Sequence, residues 1–164
     1  QNPRTLTCFL QQRQRCHHPT SPMLKGISPL ISPDLLATLC RMGHGDEIVL
    51  ADAHFPGHSI HPEALRADGV AIPPLLDAIL PLFALDTYDE APALMMETVP
   101  GDMADPRVET SYQEALTRLA PEAPAIQKLE RFAFYERAKQ AYAIIVTGDT
   151  AKYANIILKK GVTT

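Results

Sequence analysis

The chain has 164 residues, of which 46% are hydrophobic and 21% are charged, and it contains no Trp. This length suits one domain with a full apolar core, and the composition excludes extensive disorder. The net charge of −4 argues against a nucleic acid or an anionic membrane as partner. No apolar run approaches the ~18–20 residues of a membrane span, so no membrane association is predicted.

Three cysteines stand at irregular spacings, at Cys8, Cys16 and Cys40. An odd and sparse set does not form a disulfide framework. We therefore predict a reducing compartment, the cytoplasm. Cys40 falls on the apolar face of a predicted helix, where we expect a small buried hydrophobe.

Residues 1–22 differ in character from the rest of the chain. They show no hydrophobic periodicity, carry the run QQRQR, and lack the apolar centre of a secretory signal. We interpret this segment as a disordered leader, either artificial or translated from upstream of the true start. A targeting extension is the alternative. The folded domain is predicted to cover residues 23–164.

The first predicted elements are a helix and a buried strand. Ser32-Pro33-Asp34 is typical of a helix start, with a Ser cap, Pro in the first turn and an acid behind it. Gly43 is the expected C-terminal cap. The apolar, branched run at 47–52 predicts a buried strand, and the Pro and Gly of 54–61 predict a loop.

Further elements alternate along the remainder of the chain. Strands are predicted at 71–72, 94–99, 142–147 and 155–160, and helices from Pro73, from Asp105 to Pro121, at 124–130 and at 134–140. This alternation predicts an α/β fold, with helices on both faces of a mixed sheet in a three-layer α/β/α arrangement. No Gly-rich phosphate loop occurs, which argues against nucleotide chemistry.

Polar residues flank the first predicted strand. His44 lies between Gly43 and Gly45 before the strand, and Asp52 stands at its carboxyl end, where α/β sheets collect ligands. Histidine titrates near neutrality and can exchange protons at working pH. The alternatives are that His44 caps the preceding helix and that Asp52 is a turn residue.

The loop histidines His54, His58 and His61 could join Asp52 in a zinc site. A loop with Pro and Gly does not align them as a helix would, so we predict no metal.

Toward the C-terminus, Arg131, Tyr153 and Asn155 offer the donors and the ring that suit sugar hydroxyls. For Arg131 the alternative is an ion pair with Glu130 or Glu136.

Several separated motifs stand along the chain: MLKGISPLISP at 23–33, MGHGDEIVLADAHFP at 42–56, RADG at 66–69, RFAFYERA at 131–138 and KYANIILKKGV at 152–162. Together they resemble one known family, the L-fucose mutarotases, a sister family of the D-ribose pyranases. The resemblance covers essentially all of residues 23–164. It implies the ribose-pyranase fold and acid/base exchange of the anomers of free L-fucose, without metal or cofactor. It also implies homo-oligomers, commonly decameric rings, with sites at subunit boundaries.

The resemblance assigns roles to individual positions. His44 matches the family's proton donor, and the positions that match sugar-binding residues are Asp52, Arg131, Tyr153, Ala154 and Asn155. Ala154 departs from the family's Gly, which would strain the backbone if this position needs φ > 0. The alternatives are D-ribose pyranase-type activity on another aldose, a sugar-binding module without turnover, and a metal-dependent sugar isomerase.

Overall fold

A computed structural model describes residues 24–163. The predicted leader at 1–22 lies outside these residues, as do Cys8 and Cys16. The helices are α1 (Pro33–Arg41), α2 (Gly57–Ile60), α3 (Ile72–Ile79), α4 (Pro106–Leu119) and α5 (Arg131–Gln140), with a 3₁₀ helix at Leu80–Leu82. The strands are β1 (Glu47–Ala51), β2 (Leu65–Ala67), β3 (Ala93–Met96), β4 (Gln127–Leu129), β5 (Ala143–Thr147) and β6 (Ile156–Lys159). Within the described chain, no helix has the length and apolar character needed to cross a membrane.

The strands form one mixed sheet in the order β2-β5-β1-β6-β3-β4. Strands β2, β5 and β1 are parallel to one another, as are β3 and β4. Strand β6 runs antiparallel to both of its neighbours, β1 and β3. The carboxyl ends of the other strands therefore share one edge of the sheet with the amino end of β6.

Alternate residues of the central strands supply two separate cores. Ile48 and Leu50 pack on the face covered by α1, α3 and α4, whereas Val49 and Ala51 pack on the face covered by α5. All four side chains are fully buried, and burying each large one contributes roughly 1.5–3 kcal/mol. The predicted three-layer α/β/α fold with a mixed sheet is confirmed.

Helix α1 begins as predicted, and its C-cap lies one residue before the predicted one. The Ser32 hydroxyl accepts from the Leu35 N–H at 3.1 Å, while Met42 turns to extended backbone and is the C-cap in place of Gly43. The prediction of a buried Cys40 is wrong, because this thiol is exposed. The helix buries Leu35 and Leu39, and one further residue turns ~100° around its axis, away from the core.

Several short elements differ from the prediction. Residues 71–72 start α3, with Ala71 as N-cap, and do not form a strand. The predicted helix at 124–130 is instead strand β4, which pairs with β3. The predicted loop at 54–61 contains the single turn of α2, and β2 was not predicted at all. Elements of three or four residues are too short to show periodicity, so pairing with neighbours decides their structure.

Gly148, directly after β5, offers a test of this packing. A Cβ at this position would fall on the carbonyl oxygen of Asp68, a backbone atom that cannot turn away. Gly148→Ala should therefore lower the free energy of unfolding by about 1–3 kcal/mol. Denaturant unfolding followed by circular dichroism measures this loss. Gly69→Ala is the matched control, because its Cβ meets nothing within 4 Å, and it should stay within about 1 kcal/mol of wild type. Equal stability of the two variants would contradict the packing.

Candidate functional site

A cavity of about 310 Å³ opens at the sheet edge where β1, β3 and β4 end and β6 begins. We call it the carboxyl-edge pocket. Its lining includes four of the residues selected from sequence, Asp52, Arg131, Tyr153 and Asn155. The other lining residues are His54, Phe55, Met96, Asp102, Tyr135 and Lys152. The volume is at the small end of the range for ligand sites, as a small ligand requires.

Asp52 and Asn155 form a reciprocal pair at the base of this pocket. The Asp52 N–H donates to Asn155 Oδ1 at 2.9 Å, and Asn155 Nδ2 donates to Asp52 Oδ2 at 2.8 Å. The other carboxylate oxygen of Asp52 accepts from the His54 N–H at 2.9 Å. Both residues of the pair are buried. Burial raises the pKa of Asp52 above its ordinary value, and the hydrogen bonds from His54 and Asn155 oppose that rise.

Tyr153 reaches the pocket from an unusual backbone conformation. Its φ is 60°, and among residues 24–163 no other non-glycine residue has positive φ. Its hydroxyl donates to Asp102 at 2.9 Å, and Lys152 Nζ approaches the same carboxylate at 3.2 Å. A hydrogen bond from the Met103 N–H, then those from Tyr153 and Lys152, lower the pKa of Asp102. The bond to Asp102 raises the pKa of Tyr153, so this phenol is held in its neutral form.

Ala154 does not line the carboxyl-edge pocket in the single chain. It is fully buried, and its carbonyl accepts a hydrogen bond from the Tyr112 hydroxyl at 3.0 Å. Burial raises the pKa of Tyr112 and keeps it a neutral donor. Positive φ belongs to the neighbour Tyr153, so replacing the family's Gly by Ala costs no left-handed strain here. A sugar contact by Ala154 stays a prediction.

Arg131 begins α5 and faces the same pocket. Its guanidinium carbon lies 5.8 Å from the ring centroids of both Phe132 and Tyr135. The ion-pair alternative is wrong for the described chain, because Glu130 accepts from the first N–H groups of α5 and Glu136 pairs with Lys139. The guanidinium donors of Arg131 are therefore available to a ligand.

His44 lies at the opposite edge of the sheet, before β1. It lines a separate cavity, here named the amino-edge cluster, formed by His44, Gly45, Asp86, Tyr88, Asp89, Glu90 and Lys159. Strand β1 alone spans about 16 Å, five residues at ~3.3 Å each. In one chain the structure thus separates His44 from Asp52, although they are close in sequence.

The loop histidines do not gather around Asp52. His54 lines the carboxyl-edge pocket, but within residues 24–163 no three His, Cys, Asp or Glu side chains are placed to share a metal ion. His61 Nδ1 is buried without a hydrogen-bond partner.

Sequence reasoning missed some pocket residues that a local signal could have found. Tyr135 follows Arg131 by four residues on one helix, a spacing that places both on the same face. Phe55 and Lys152 adjoin residues already selected, next to His54 and Tyr153. Asp102 comes from a loop with no such signal, and only the fold brings it to Tyr153.

A model of the RbsD / FucU transport protein family matches residues 25–163. The chain belongs to this family. The resemblance inferred from the motifs is thereby confirmed at the level of the family.

Relatives within the RbsD / FucU family cover most of this chain. The curated L-fucose mutarotase of Histophilus somni (strain 2336) is 60% identical over 141 residues, which are 86% of this chain and 98% of the relative. The crystal structure of a fucose mutarotase in complex with L-fucose from Streptococcus pneumoniae has a TM-score of 0.80 and 50% identity, covering 86% of this chain and all of that one. The structure of Bacillus subtilis RbsD complexed with D-ribose has a TM-score of 0.64 and 25% identity. The match covers 87% of this chain and all of that one.

The raised pKa of Asp52 predicts a pH effect on stability. A carboxyl whose folded pKa is raised stabilises the fold below its ordinary value of 3.8, and this contribution is lost as pH rises through the folded pKa. In Asp52→Asn the side chain cannot ionise, so the variant does not lose this stability as pH rises. At pH 3 the variant should be less stable by about 1 kcal/mol, because the single amide oxygen cannot accept from both the His54 N–H and Asn155 Nδ2. The deficit should shrink as pH rises toward 6, measured by urea unfolding at each pH. A deficit that grows with pH would contradict the raised pKa.

Proposed function

We propose that this chain interconverts the α and β anomers of free L-fucose by general acid/base catalysis. The observation that supports this proposal most directly is the carboxyl-edge pocket. A carboxylate, an amide, a guanidinium and a phenol from separate segments line it together. Such a set suits the hydroxyls of a small neutral sugar. The near full-length similarity to a curated L-fucose mutarotase supports this substrate over others.

Anomer exchange requires only proton transfers. A proton is delivered to the ring oxygen as its bond to the anomeric carbon breaks, and one is removed from the anomeric hydroxyl as the aldehyde forms. Rotation and the reverse steps give the other anomer. Positioned acids and bases typically accelerate such steps ~10²–10⁴-fold. The reaction itself needs no metal or organic cofactor.

The pocket residues hold the sugar in this proposal. A carboxylate has about four acceptor sites, so Asp52 keeps capacity for sugar hydroxyls beyond its bonds to His54 and Asn155. Arg131 donates to hydroxyl oxygens, and Tyr153 offers a ring face. The peptide from Tyr153 through Ala154 to Asn155 borders the sugar. Asp52 and Tyr153 are the candidates at this edge for the base that takes the anomeric proton. Because the Tyr153 phenol is neutral, it could take that proton only while passing its own to Asp102.

His44, the proposed acid, acts on a sugar bound by a second copy of the chain. A hydrogen bond reaches only ~3 Å, far less than the length of β1, so His44 cannot serve the pocket of its own chain. In a homo-oligomer, the amino edge of one subunit can face the carboxyl-edge pocket of its neighbour. His44 of one chain then reaches the sugar bound by the other. We take that oligomer to be a decameric ring, located in the cytoplasm.

Exchange can be tested by NMR magnetisation transfer between the anomer signals of equilibrated L-fucose. Micromolar wild-type protein should accelerate exchange, and His44→Ala should reduce it by at least ~10²-fold with an unchanged circular dichroism spectrum. D-Ribose under the same conditions should exchange more slowly than L-fucose. Absence of acceleration for L-fucose would contradict the proposed activity, and faster exchange of D-ribose would contradict the substrate.

Subunit sharing can be tested by mixing two variants that the proposal expects to be inactive, His44→Ala and Arg131→Ala. In a mixed ring, some boundaries combine an intact His44 from one subunit with an intact Arg131 from another. Refolding the two variants together should therefore restore a fraction of wild-type exchange. Each variant refolded alone is the control. No recovery in rings shown by mass spectrometry to contain both variants would mean that each site lies within one chain.

A further inference from the structure

The imidazole of His44 contacts one carboxylate in the described chain, that of Asp86. His44 Nε2 lies 3.3 Å from Asp86 Oδ2. The His44 side chain is 48% exposed, whereas that of Asp86 is 4% exposed. The histidine thus projects from the surface with one nitrogen directed at a buried acid.

A buried carboxylate is costly unless its oxygens are engaged. Asp86 Oδ1 accepts from the Tyr88 N–H at 3.0 Å, and the Asp86 N–H donates to the Lys159 carbonyl at 3.0 Å. These bonds fix the carboxylate between the loop before β3 and the end of β6. They leave Oδ2 directed toward His44.

Two other charged groups around His44, Lys159 and Asp46, are engaged elsewhere. From β6, Lys159 Nζ lies 3.9 Å from Asp86 Oδ2 but only 2.6 Å from Asp89. From the loop of His44 itself, Asp46 accepts from the Gly43 N–H at 2.7 Å. The loop before β3 adds the Tyr88 ring, 6.0 Å from the imidazole, and Glu90 at the cavity wall. Asp86 is therefore the group placed to orient the imidazole.

We propose that Asp86 is the positioning residue for His44, holding Nε2–H so that Nδ1 carries the proton delivered to the sugar. This inference deepens the proposed function and rests on it. A distance of 3.3 Å is long for such a bond, as is common before substrate binds. The assigned nitrogen and the partner carboxylate follow from the geometry of the amino-edge cluster.

The proton balance is complete within this arrangement. Protonated His44 gives the Nδ1 proton to the ring oxygen while the bond from that oxygen to the anomeric carbon breaks. The neutral imidazole keeps Nε2–H toward Asp86, so neither the ring nor the carboxylate must reorganise. The base at the carboxyl edge of the other subunit takes the anomeric hydroxyl proton, and reclosure returns both protons.

Asp86→Asn tests the role of the carboxylate. The new amide keeps the shape but removes the charge, and it can donate to Nε2 and so favour the opposite tautomer. We expect kcat for L-fucose exchange to fall on the order of 10²-fold while KM stays within about twofold, because Asp86 is buried and in this inference acts only through His44. Asp77→Asn, which removes an exposed carboxylate paired with Arg118, is the control and should leave both constants unchanged. An unchanged kcat in Asp86→Asn would overturn the inference.

The tautomer of His44 in the wild-type protein gives a second readout. It depends neither on activity nor on whether Asp86→Asn folds. In ¹⁵N-histidine-labelled wild-type protein with the imidazole in its neutral form, the His44 signals, assigned by comparison with His44→Ala, should show the proton on Nε2. A proton on Nδ1 would overturn the inference even if exchange is rapid. Rapid wild-type exchange with an unaffected Asp86→Asn would overturn the inference alone, whereas no wild-type exchange would overturn the proposed function as well.

Discussion

Strand β6 lies antiparallel between two strands of the opposite direction, and this placement organises the polar chemistry of the molecule. It brings the residue before β6, Asn155, beside the residue after β1, Asp52, where they exchange two hydrogen bonds of 2.9 and 2.8 Å. The same insertion brings Tyr153 to the edge where Arg131 begins α5. A parallel β6 would carry these groups to the other side of the sheet. The carboxyl-edge pocket therefore depends on the direction of one strand.

The opposite edge is organised by the other end of β6. Lys159 is the last residue of that strand, and its carbonyl accepts a hydrogen bond from the Asp86 N–H. The Asp86 carboxylate in turn faces His44. Each sheet edge thus holds part of the chemistry proposed for the protein, with sugar-binding groups at one and a proton donor at the other. Because strand β1 separates them, the proposed mechanism requires two subunits to build each active site.

The long elements of the fold could be predicted because their signals are local. Ser32 and Pro33 mark the start of α1, and the branched run at 47–52 marks β1. Strand β4, a segment read as helix, is held by its pairing with β3, a contact between residues far apart in sequence. Cys40 was misplaced since one helical step separates a buried face from an exposed one. In the candidate site, Asp102 and Asp86 could not be predicted from any local sequence pattern. Each is placed in the site by a contact with a residue on a distant segment.

What the sequence by itself determined is the set of chemical groups and the local backbone on which they sit. His44, Asp52, Arg131, Tyr153 and Asn155 were selected by residue type, by position beside predicted elements and by family motifs. Their distribution in space was decided by the tertiary structure. Eight positions along the chain separate His44 from Asp52, which suggests that they are close in space. The extended strand β1 instead places them at opposite ends of the strand. Conversely, hydrogen bonding between antiparallel strands joins Asp52 to Asn155, which no local pattern encodes.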